Sequence, residues 1–175
     1  MYTIVKYGHT ALRKKAVRVE QVDAAIRELA QAMLSAMYAE KGVGLAAEQI
    51  GRDEAIFVLD IPADEAGGLD MPLVLINPEI VAMEGEQDGP EGCLSFPGIY
   101  VNVKRAETAT VRFLDQDGKP RELVTHGLVA RAVQHETDHL NGVLLVDRMS
   151  AVQKVANAGR LKRLKKDGQR DCVAP

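Results

Sequence analysis

Apolar residues recur every three or four positions in one stretch near the start of the chain. The pattern begins with Val22, Ile26 and Leu29. This spacing places the apolar side chains on one face and predicts an amphipathic helix over residues 22–38. Gly42 marks the end of this helix, because glycine is common just after a helix C-terminus.

Continuous apolar runs follow in the middle of the chain and predict short buried strands. One run covers residues 55–61 and another covers residues 73–76. Each ends before a proline, Pro62 or Pro78, which cannot donate a main-chain hydrogen bond to a sheet. A further strand is predicted over residues 99–103.

A β-hairpin and a second helix are predicted in the last third of the chain. Strands over 108–114 and 121–125 flank Asp117-Gly118, a dipeptide suited to the positive φ angles of a tight turn. Residues 128–140 contain no glycine or proline and predict a helix. The order of helix, strands, hairpin and helix, without a repeat or a linker, predicts an α+β fold with small antiparallel sheets.

The second helix carries a metal-binding pattern, QHETDHLNG at residues 134–142. His135 and His139 are four residues apart, so both imidazoles can reach one metal ion from the same helix face. Glu136 projects to the side, where it can contact a water molecule without being a ligand. The alternative is an exposed charged helix with two surface histidines, but the motif favours a metal site.

A catalytic zinc-type site needs a third protein ligand and one open position. No histidine or glutamate follows His139, although HExxH metallopeptidases take their third ligand from there. The upstream candidates are His9, His126, several carboxylates and Cys93. The thiolate of Cys93 is the best of these, and the alternative is that Cys93 is a small buried apolar side chain.

Three separated motifs resemble those of the peptide deformylases: GVGLAAEQ at 42–49, EGCLS at 91–95 and QHETDHLNG at 134–142. They occur in the family's order, and the similarity extends to about Met149. The resemblance implies hydrolytic removal of the N-formyl group from the initiator methionine of new polypeptides, with release of formate. It also implies a catalytic domain over residues 1–150, in which the small sheets pack around the metal-binding helix.

The same resemblance implies a role for several residues. One divalent metal ion is held by three side chains, here Cys93, His135 and His139. Glu136 is the catalytic acid and base, and the Gln49 side chain and the Leu94 backbone N–H stabilise the oxyanion. These roles agree with physical chemistry, because fixed donors and a metal ion both stabilise negative charge that develops on an oxygen.

Substrate binding is implied for the first motif and for the metal-binding helix. The backbone of Val43 and Gly44 pairs with an extended peptide, which explains indifference to the residues after the methionine. Leu128, two helical turns before His135, lines the methionine pocket or, alternatively, belongs to the core. For the glycines of the first motif, the alternative is a simple helix cap.

The metal is not defined by a cysteine and two histidines, because these ligands bind several divalent ions. The resemblance implies Fe²⁺ as the native ion. Zn²⁺, Ni²⁺ or Co²⁺ are alternatives in purified preparations.

Two positions depart from the family's pattern. Glu48 stands where a small or neutral residue such as threonine or proline is expected, and its charge lies next to Gln49. Arg131, on the same helix face as His135, stands where relatives have an apolar residue. We expect its aliphatic stem to pack in the site while the guanidinium reaches the pocket rim or pairs with a carboxylate.

Composition narrows the possible classes of protein. The 175 residues are 46% apolar and 4% aromatic, without tryptophan, which suits a globular domain and argues against a base-stacking surface. The apolar runs fall short of the ~20 residues that span a bilayer, so we expect no membrane role. Two cysteines, and a start without the apolar run of a signal peptide, predict a cytoplasmic protein.

Charge is unevenly distributed along the chain. Residues 151–175 carry seven basic and two acidic side chains, although the net charge of the whole chain is −3. We expect this segment to form a basic C-terminal helix interrupted near Gly159. The resemblance implies that this helix docks on the ribosome near the exit tunnel, through phosphate contacts and without sequence-specific nucleic-acid recognition.

Two other functions remain open from the sequence. The first is an HExxH-type metallopeptidase, which the missing downstream ligand disfavours. The second is a non-enzymatic ribosome-associated module with a structural metal, in which a fourth protein ligand would close the site.

Overall fold

Residues 2–172 are the part of the chain that the computed structural model describes. Within them, the strands are β1 (Gly44–Ala46), β2 (Ile56–Leu59), β3 (Leu73–Glu84), β4 (Gln87–Gly92), β5 (Tyr100–Arg105), β6 (Thr108–Leu114) and β7 (Pro120–His126). The α-helices are α1 (Ala24–Ala39), α2 (Gly127–Leu140), α3 (Leu145–Arg148), α4 (Ala151–Ala156) and α5 (Ala158–Asp171). Two short 3₁₀ helices cover Thr10–Arg13 and Ala47–Ile50. Among these residues, no helix is both long and apolar enough to cross a bilayer.

The strands form two antiparallel sheets. Five strands pair in the order β1-β2-β3-β6-β7, and β4 and β5 form a separate two-stranded sheet. The predicted hairpin is β6 and β7, which pair along their whole length from Thr108 opposite His126 to Leu114 opposite Pro120. The α+β fold with small antiparallel sheets is therefore confirmed.

Helix α1 begins slightly later than predicted, because Asp23 caps it. The Asp23 carboxylate accepts a hydrogen bond from the Ile26 N–H at 3.0 Å. The helix ends at Ala39, and Lys41, with φ of 56°, takes the left-handed conformation that the prediction gave to Gly42. Its buried residues, which pack on β1 and β2, are Leu29, Ala30, Met33, Leu34, Ala36 and Met37.

Strand β3 contradicts the prediction that a proline ends it. It continues well beyond Pro78, and its pairing with β6 shifts register between Ile76 and Glu79. Asn77 has φ of 51° at this bulge, and its side chain exchanges two hydrogen bonds of 2.8 Å with the backbone of Val19. The proline is tolerated because the bulge interrupts the hydrogen-bond ladder at its position.

Strands β1 and β4 do not appear in the sequence pattern. β1 is only three residues long. β4 has the sequence QDGPEG, in which two glycines, a proline and three polar residues show no apolar alternation. It is a strand because each of its residues pairs with β5, from Gln87 opposite Arg105 to Gly92 opposite Tyr100. Its conformation therefore depends on the pairing rather than on intrinsic preference.

Helix α2 is the central helix of the fold. Its apolar side, with Val129 and Val133, packs in one buried cluster with Phe57, Leu75 and Val111 of the five-stranded sheet. Its polar side contacts the β4–β5 sheet through hydrogen bonds and ion pairs. The HExxH sequence is therefore held in the middle of the molecule.

The basic C-terminal segment forms two helices. The break between α4 and α5 lies at Asn157 rather than at the predicted Gly159. Leu161 and Leu164 of α5 pack against the buried cluster that contains Phe96. Residues 173–175 of the predicted tail lie outside the described residues, and the division into a catalytic domain and a tail at residue 150 stays a prediction.

Candidate active site

Three predicted ligands come together next to α2. Cys93 directly follows β4, while His135 and His139 lie one turn apart on α2. Their sulfur and nitrogen atoms lie within 4.8 Å of one another, and Cys93 Sγ is 3.3 Å from His139 Nε2. One thiolate and two imidazoles at this spacing fit a single divalent transition-metal ion.

A buried carboxylate orients His135. His135 Nδ1 lies 2.9 Å from Glu91 Oε2, which leaves Nε2 available to a metal ion. Glu91 also accepts two hydrogen bonds from Arg105, at 2.8 Å and 3.0 Å. Burial by itself would raise the pKa of Glu91, but the hydrogen bonds from His135 and Arg105 outweigh burial and lower this pKa to about 2.

The pKa values of the two histidines are shifted in opposite directions. Burial lowers the pKa of His139 well below its ordinary value, and the nearby charge of His135 lowers it further. Burial also lowers the pKa of His135, but hydrogen bonds to Cys93 and Glu91 outweigh this and raise it well above the ordinary value. The lowered pKa of His139 favours its neutral imidazole, which is the form that binds metal ions.

Arg131 pairs with a carboxylate, as one of the two sequence-based expectations stated. Its Nη1 donates to Glu91 Oε1 at 2.9 Å and to the Val103 carbonyl at 2.8 Å. The residue is only 6% exposed, so the guanidinium is not at the pocket rim. Arg131 therefore fastens α2 to both strands of the β4–β5 sheet.

Glu136 is buried beside the predicted ligands. Its Oε2 atom meets no hydrogen-bond partner within residues 2–172. Gly44 allows its close approach, because a Cβ atom at position 44 would lie 2.5 Å from Glu136 Oε1. Burial raises the pKa of Glu136 to about 7, against the lowering effect of the His135 charge. Such a carboxyl group can take up and release a proton near neutral pH.

Gln49 is fixed in the 3₁₀ helix that follows β1. Its Oε1 accepts a hydrogen bond from the Ala46 N–H at 2.9 Å. Its Nε2 then points at the cysteine turn, 3.2 Å from Ser95 Oγ and 3.5 Å from Cys93 Sγ. The amide group therefore presents N–H donors next to the predicted metal position.

The Leu94 N–H is available as a second donor. Phe96 N donates to the Cys93 carbonyl at 2.8 Å, which closes a turn and fixes the peptide unit between Cys93 and Leu94. Within residues 2–172, the Leu94 N–H meets no acceptor. Gly42 leaves room for this residue, since a Cβ there would lie 2.7 Å from Leu94 Cδ1.

A cavity of about 480 Å³ opens beside these groups. The three residues predicted to bind substrate, Val43, Gly44 and Leu128, all line it. Lys6 also lines the cavity, and sequence reasoning did not include it. The volume lies within the range of small-ligand pockets.

Glu48 is an unusual buried acid next to Gln49. It has no exposed surface, and neither carboxylate oxygen has a hydrogen-bond partner in the described part of the chain. The charged position next to Gln49 therefore makes no side-chain hydrogen bond to it within residues 2–172. Burial, with a smaller contribution from the charge of Glu136, raises the pKa of Glu48 to about 8.

Sequence reasoning did not assign roles to several residues that support the site. Glu91 and Ser95 lie inside the EGCLS motif, so the motif itself was the available signal. Arg105 and Lys6 carry no sequence signal, because their contacts with Glu91 and with the Leu94 carbonyl join distant parts of the chain.

A buried HExxH helix that faces a cysteine and an open cavity defines a class, the metal-dependent hydrolases. The sequence model of one family, described as polypeptide deformylase, matches residues 1–155. The chain belongs to the peptide deformylase family.

Individual relatives agree with this assignment. A peptide deformylase of a Synechococcus species is 48% identical over 158 residues, covering 90% of this chain and 77% of that protein. The crystal structure of a Legionella pneumophila peptide deformylase has a TM-score of 0.85 at 41% identity, covering 97% of this chain and 98% of the other. That of the Thermus thermophilus peptide deformylase has a TM-score of 0.87 at 40% identity, covering 96% of this chain and 99% of the other.

The family gives the activity. The chain is a hydrolase of the peptide deformylase type, and it removes the N-formyl group from nascent peptides in a metal-dependent reaction. The two other functions left open by the sequence, a metallopeptidase and a non-enzymatic ribosome-associated module, find no support among these relatives.

The substitution Glu48→Gln is expected to stabilise the protein in a pH-dependent way. The pKa of Glu48 is about 8 in the fold against 4.5 ordinarily, so wild-type stability falls as pH rises from about 4.5 to 8. At about 1.4 kcal/mol per pKa unit, the variant should gain up to about 5 kcal/mol at pH 9 and little at pH 4. Chemical denaturation across this range measures the difference. The exposed acid Glu28 provides the control, Glu28→Gln, and an equal gain at both pH values would contradict the prediction.

Proposed function

We propose that one divalent metal ion, natively Fe²⁺, is bound in the active site by three side chains, Cys93, His135 and His139. The convergence of their donor atoms within 4.8 Å supports this ligand set. The hydrogen bond from His135 to Glu91 supports it too, because a metal-binding imidazole is commonly oriented by a carboxylate at its other ring nitrogen. Such an ion supplies Lewis acidity, which polarises a carbonyl group and lowers the pKa of a water molecule.

Glu136 is the proton carrier of the reaction. Its carboxylate accepts a proton from the attacking water. It then donates this proton to the amide nitrogen as the C–N bond breaks, which releases formate and the free amine of the peptide. Two observations support this role: the side chain is buried beside the ligands, and its Oε2 atom meets no partner within residues 2–172. The pKa near 7 suits transfer in both directions.

Gln49 and Leu94 stabilise the negative charge that develops on the formyl oxygen. The Gln49 amide is aimed at the cysteine turn, and the Leu94 N–H is fixed and unused within the described residues. Donors that are already oriented need no rearrangement during the reaction, so their effect is large in a site that excludes water. Loss of one such donor costs about 3–4 kcal/mol in comparable sites.

The formyl-methionyl peptide lies in the cavity that these groups line. Val43 directly precedes the edge strand β1, and Gly44 is its first residue. Both line the cavity, which supports pairing of this edge with an extended substrate backbone. Leu128 lines the cavity, is only partly buried against the core, and is placed to contact the methionine side chain. Backbone pairing would accept many residues after the methionine, as a general processing enzyme requires.

The substitution Glu136→Gln should abolish turnover without loss of the metal. The amide keeps the shape of the side chain but cannot carry the proton, so release of formate from a formyl-methionyl peptide should fall by about 10²–10⁴-fold. Metal content, measured on the same samples, should stay near one ion per chain. Glu28→Gln serves as the surface control. Activity above one tenth of wild type at full metal content would refute the role of Glu136.

The Fe²⁺ form is expected to lose activity in air. Oxygen converts Fe²⁺ to Fe³⁺, and it also oxidises a cysteine thiolate towards sulfinic acid. Formate release from iron-loaded protein should therefore decline within hours in air and persist under nitrogen. Protein loaded with Zn²⁺ is the control, because zinc has no redox chemistry. Equal losses with and without oxygen would contradict the expected oxidation of Fe²⁺ and of the cysteine thiolate at this site.

We also propose that the protein works in the cytoplasm and meets nascent chains at the ribosome through α4 and α5. The support is the charge of this segment, in which every basic side chain is exposed. These exposed residues are Lys154, Arg160, Lys162, Arg163, Lys165, Lys166 and Arg170. An exposed basic helix is suited to RNA phosphates and needs no sequence recognition.

Neutralising Lys162 and Lys166 should weaken ribosome binding and leave peptide turnover unchanged. Two lost phosphate contacts should reduce the slope of log affinity against log salt by about 1.5. Co-sedimentation with ribosomes at several salt concentrations measures this slope for the double glutamine variant. Lys14 and Lys15, which are exposed elsewhere, give the matched double control. The proposal fails if both variants bind ribosomes equally well.

A further inference from the structure

We propose that the N-terminal segment Val5–Tyr7 is a positioning element of the oxyanion site and that Lys6 is its decisive residue. The proposal rests on the roles proposed above for Gln49 and Leu94. These two donors lie on separate pieces of chain, one on the 3₁₀ helix after β1 and one on the turn after β4. Something must fix the two pieces relative to one another.

The N-terminal segment contacts both pieces. The Val5 N–H donates to the Gln49 carbonyl at 2.8 Å, and the Tyr7 N–H donates to the Ser95 carbonyl at 2.9 Å. Between them, Lys6 Nζ donates to the Leu94 carbonyl at 3.0 Å. Three consecutive residues therefore bind the backbone of both proposed donor residues, Gln49 and Leu94, and of the residue that follows Leu94.

The Lys6 contact limits the orientation of Leu94. The peptide unit before Leu94 is fixed by the hydrogen bond from Phe96 N to the Cys93 carbonyl. The peptide unit after it is fixed by Lys6, and the next one by Tyr7. With the units on both sides held, the Leu94 N–H keeps one direction. Lys6 also lines the cavity, so its contact with the Leu94 carbonyl lies at the wall of the proposed substrate site.

Close backbone packing holds the N-terminal segment in place. The Tyr7 ring stacks on Phe96 at 4.8 Å between centroids. Gly168 of α5 is buried against the same segment, and a Cβ there would lie 2.4 Å from the Tyr7 carbonyl oxygen. Gly8 packs equally closely on Lys165, whose carbonyl oxygen would lie 2.1 Å from a Cβ at position 8. Helix α5 therefore supports the segment from outside.

The substitution Lys6→Met tests the proposal in the full-length, metal-loaded enzyme. It removes the donor and the charge but keeps a long flexible side chain. We expect kcat for a formyl-methionyl peptide to fall about tenfold, with KM and metal affinity each within threefold of wild type. The reason is that a misdirected donor weakens the transition state more than substrate or metal binding. Lys6→Arg, which can still donate to the Leu94 carbonyl, should retain at least half of the wild-type kcat. Lys15→Met is the control at an exposed lysine.

Several outcomes would overturn the proposal. A kcat within twofold of wild type for Lys6→Met means that the segment positions nothing. A parallel loss of kcat and metal affinity means that it supports Cys93 rather than the oxyanion donors. The Gln49→Ala variant distinguishes these Lys6→Met outcomes from a failure of the proposed function. If Gln49→Ala keeps full activity, the proposed role of Gln49 as an oxyanion donor is wrong.

A second variant tests the segment from the outside. Gly168→Ala forces a methyl group against the Tyr7 carbonyl, whereas Gly159→Ala on the same helix places one where no atom lies within 4 Å. Gly168→Ala should lower kcat at least threefold with metal affinity unchanged, and Gly159→Ala should change neither. Equal kcat values for the two variants would count against a positioning role.

Discussion

The carboxylate of Glu91 joins the elements that build the active site. It lies on β4 and contacts Arg105 on β5, and Arg131 and His135 on α2. Removing one partner from a buried ionic network of this kind costs about 3–5 kcal/mol, because a charge is left without compensation. The helix that carries both histidines is therefore fixed to the strand that leads to Cys93. The contacts of Glu91 thus help to hold the three predicted ligands next to one another.

The position of Glu91 near the end of β4 also explains why two kinds of catalytic group are adjacent. β4 is paired with β5 up to Gly92, so the chain leaves a rigid edge directly at Cys93. The turn closed by the hydrogen bond from Phe96 N to the Cys93 carbonyl begins there, so Cys93 and Leu94 belong to the same turn. A site built this way needs no separate loop for the proposed oxyanion donor, Leu94. Any motion of the turn would displace a ligand and a donor together.

The sequence predicted those elements whose pattern is local. Helices α1 and α2 and the β6–β7 hairpin have their own periodicity and turn residues, and they form close to the predicted bounds. β4 could not be predicted, because its glycines and proline favour no strand and only β5 makes it one. The same limit applies to the site. Three motifs indicate the ligands and Glu136, but the contacts of Arg105, Arg131 and Lys6 depend on the tertiary fold.

Two buried glutamates near the predicted metal position show how the fold gives different properties to the same type of side chain. Burial by itself would raise the pKa of Glu91, but hydrogen bonds from His135 and Arg105 lower it to about 2, so Glu91 stays charged. Glu136, within the same buried region, has an oxygen without a partner in the described residues, and burial raises its pKa to about 7. The first can only orient a neighbour, because it never changes charge at neutral pH. The second can exchange a proton, because its pKa lies close to neutral pH. Carboxyl groups whose environments separate their pKa values in this way mark the division between structural and acid–base roles.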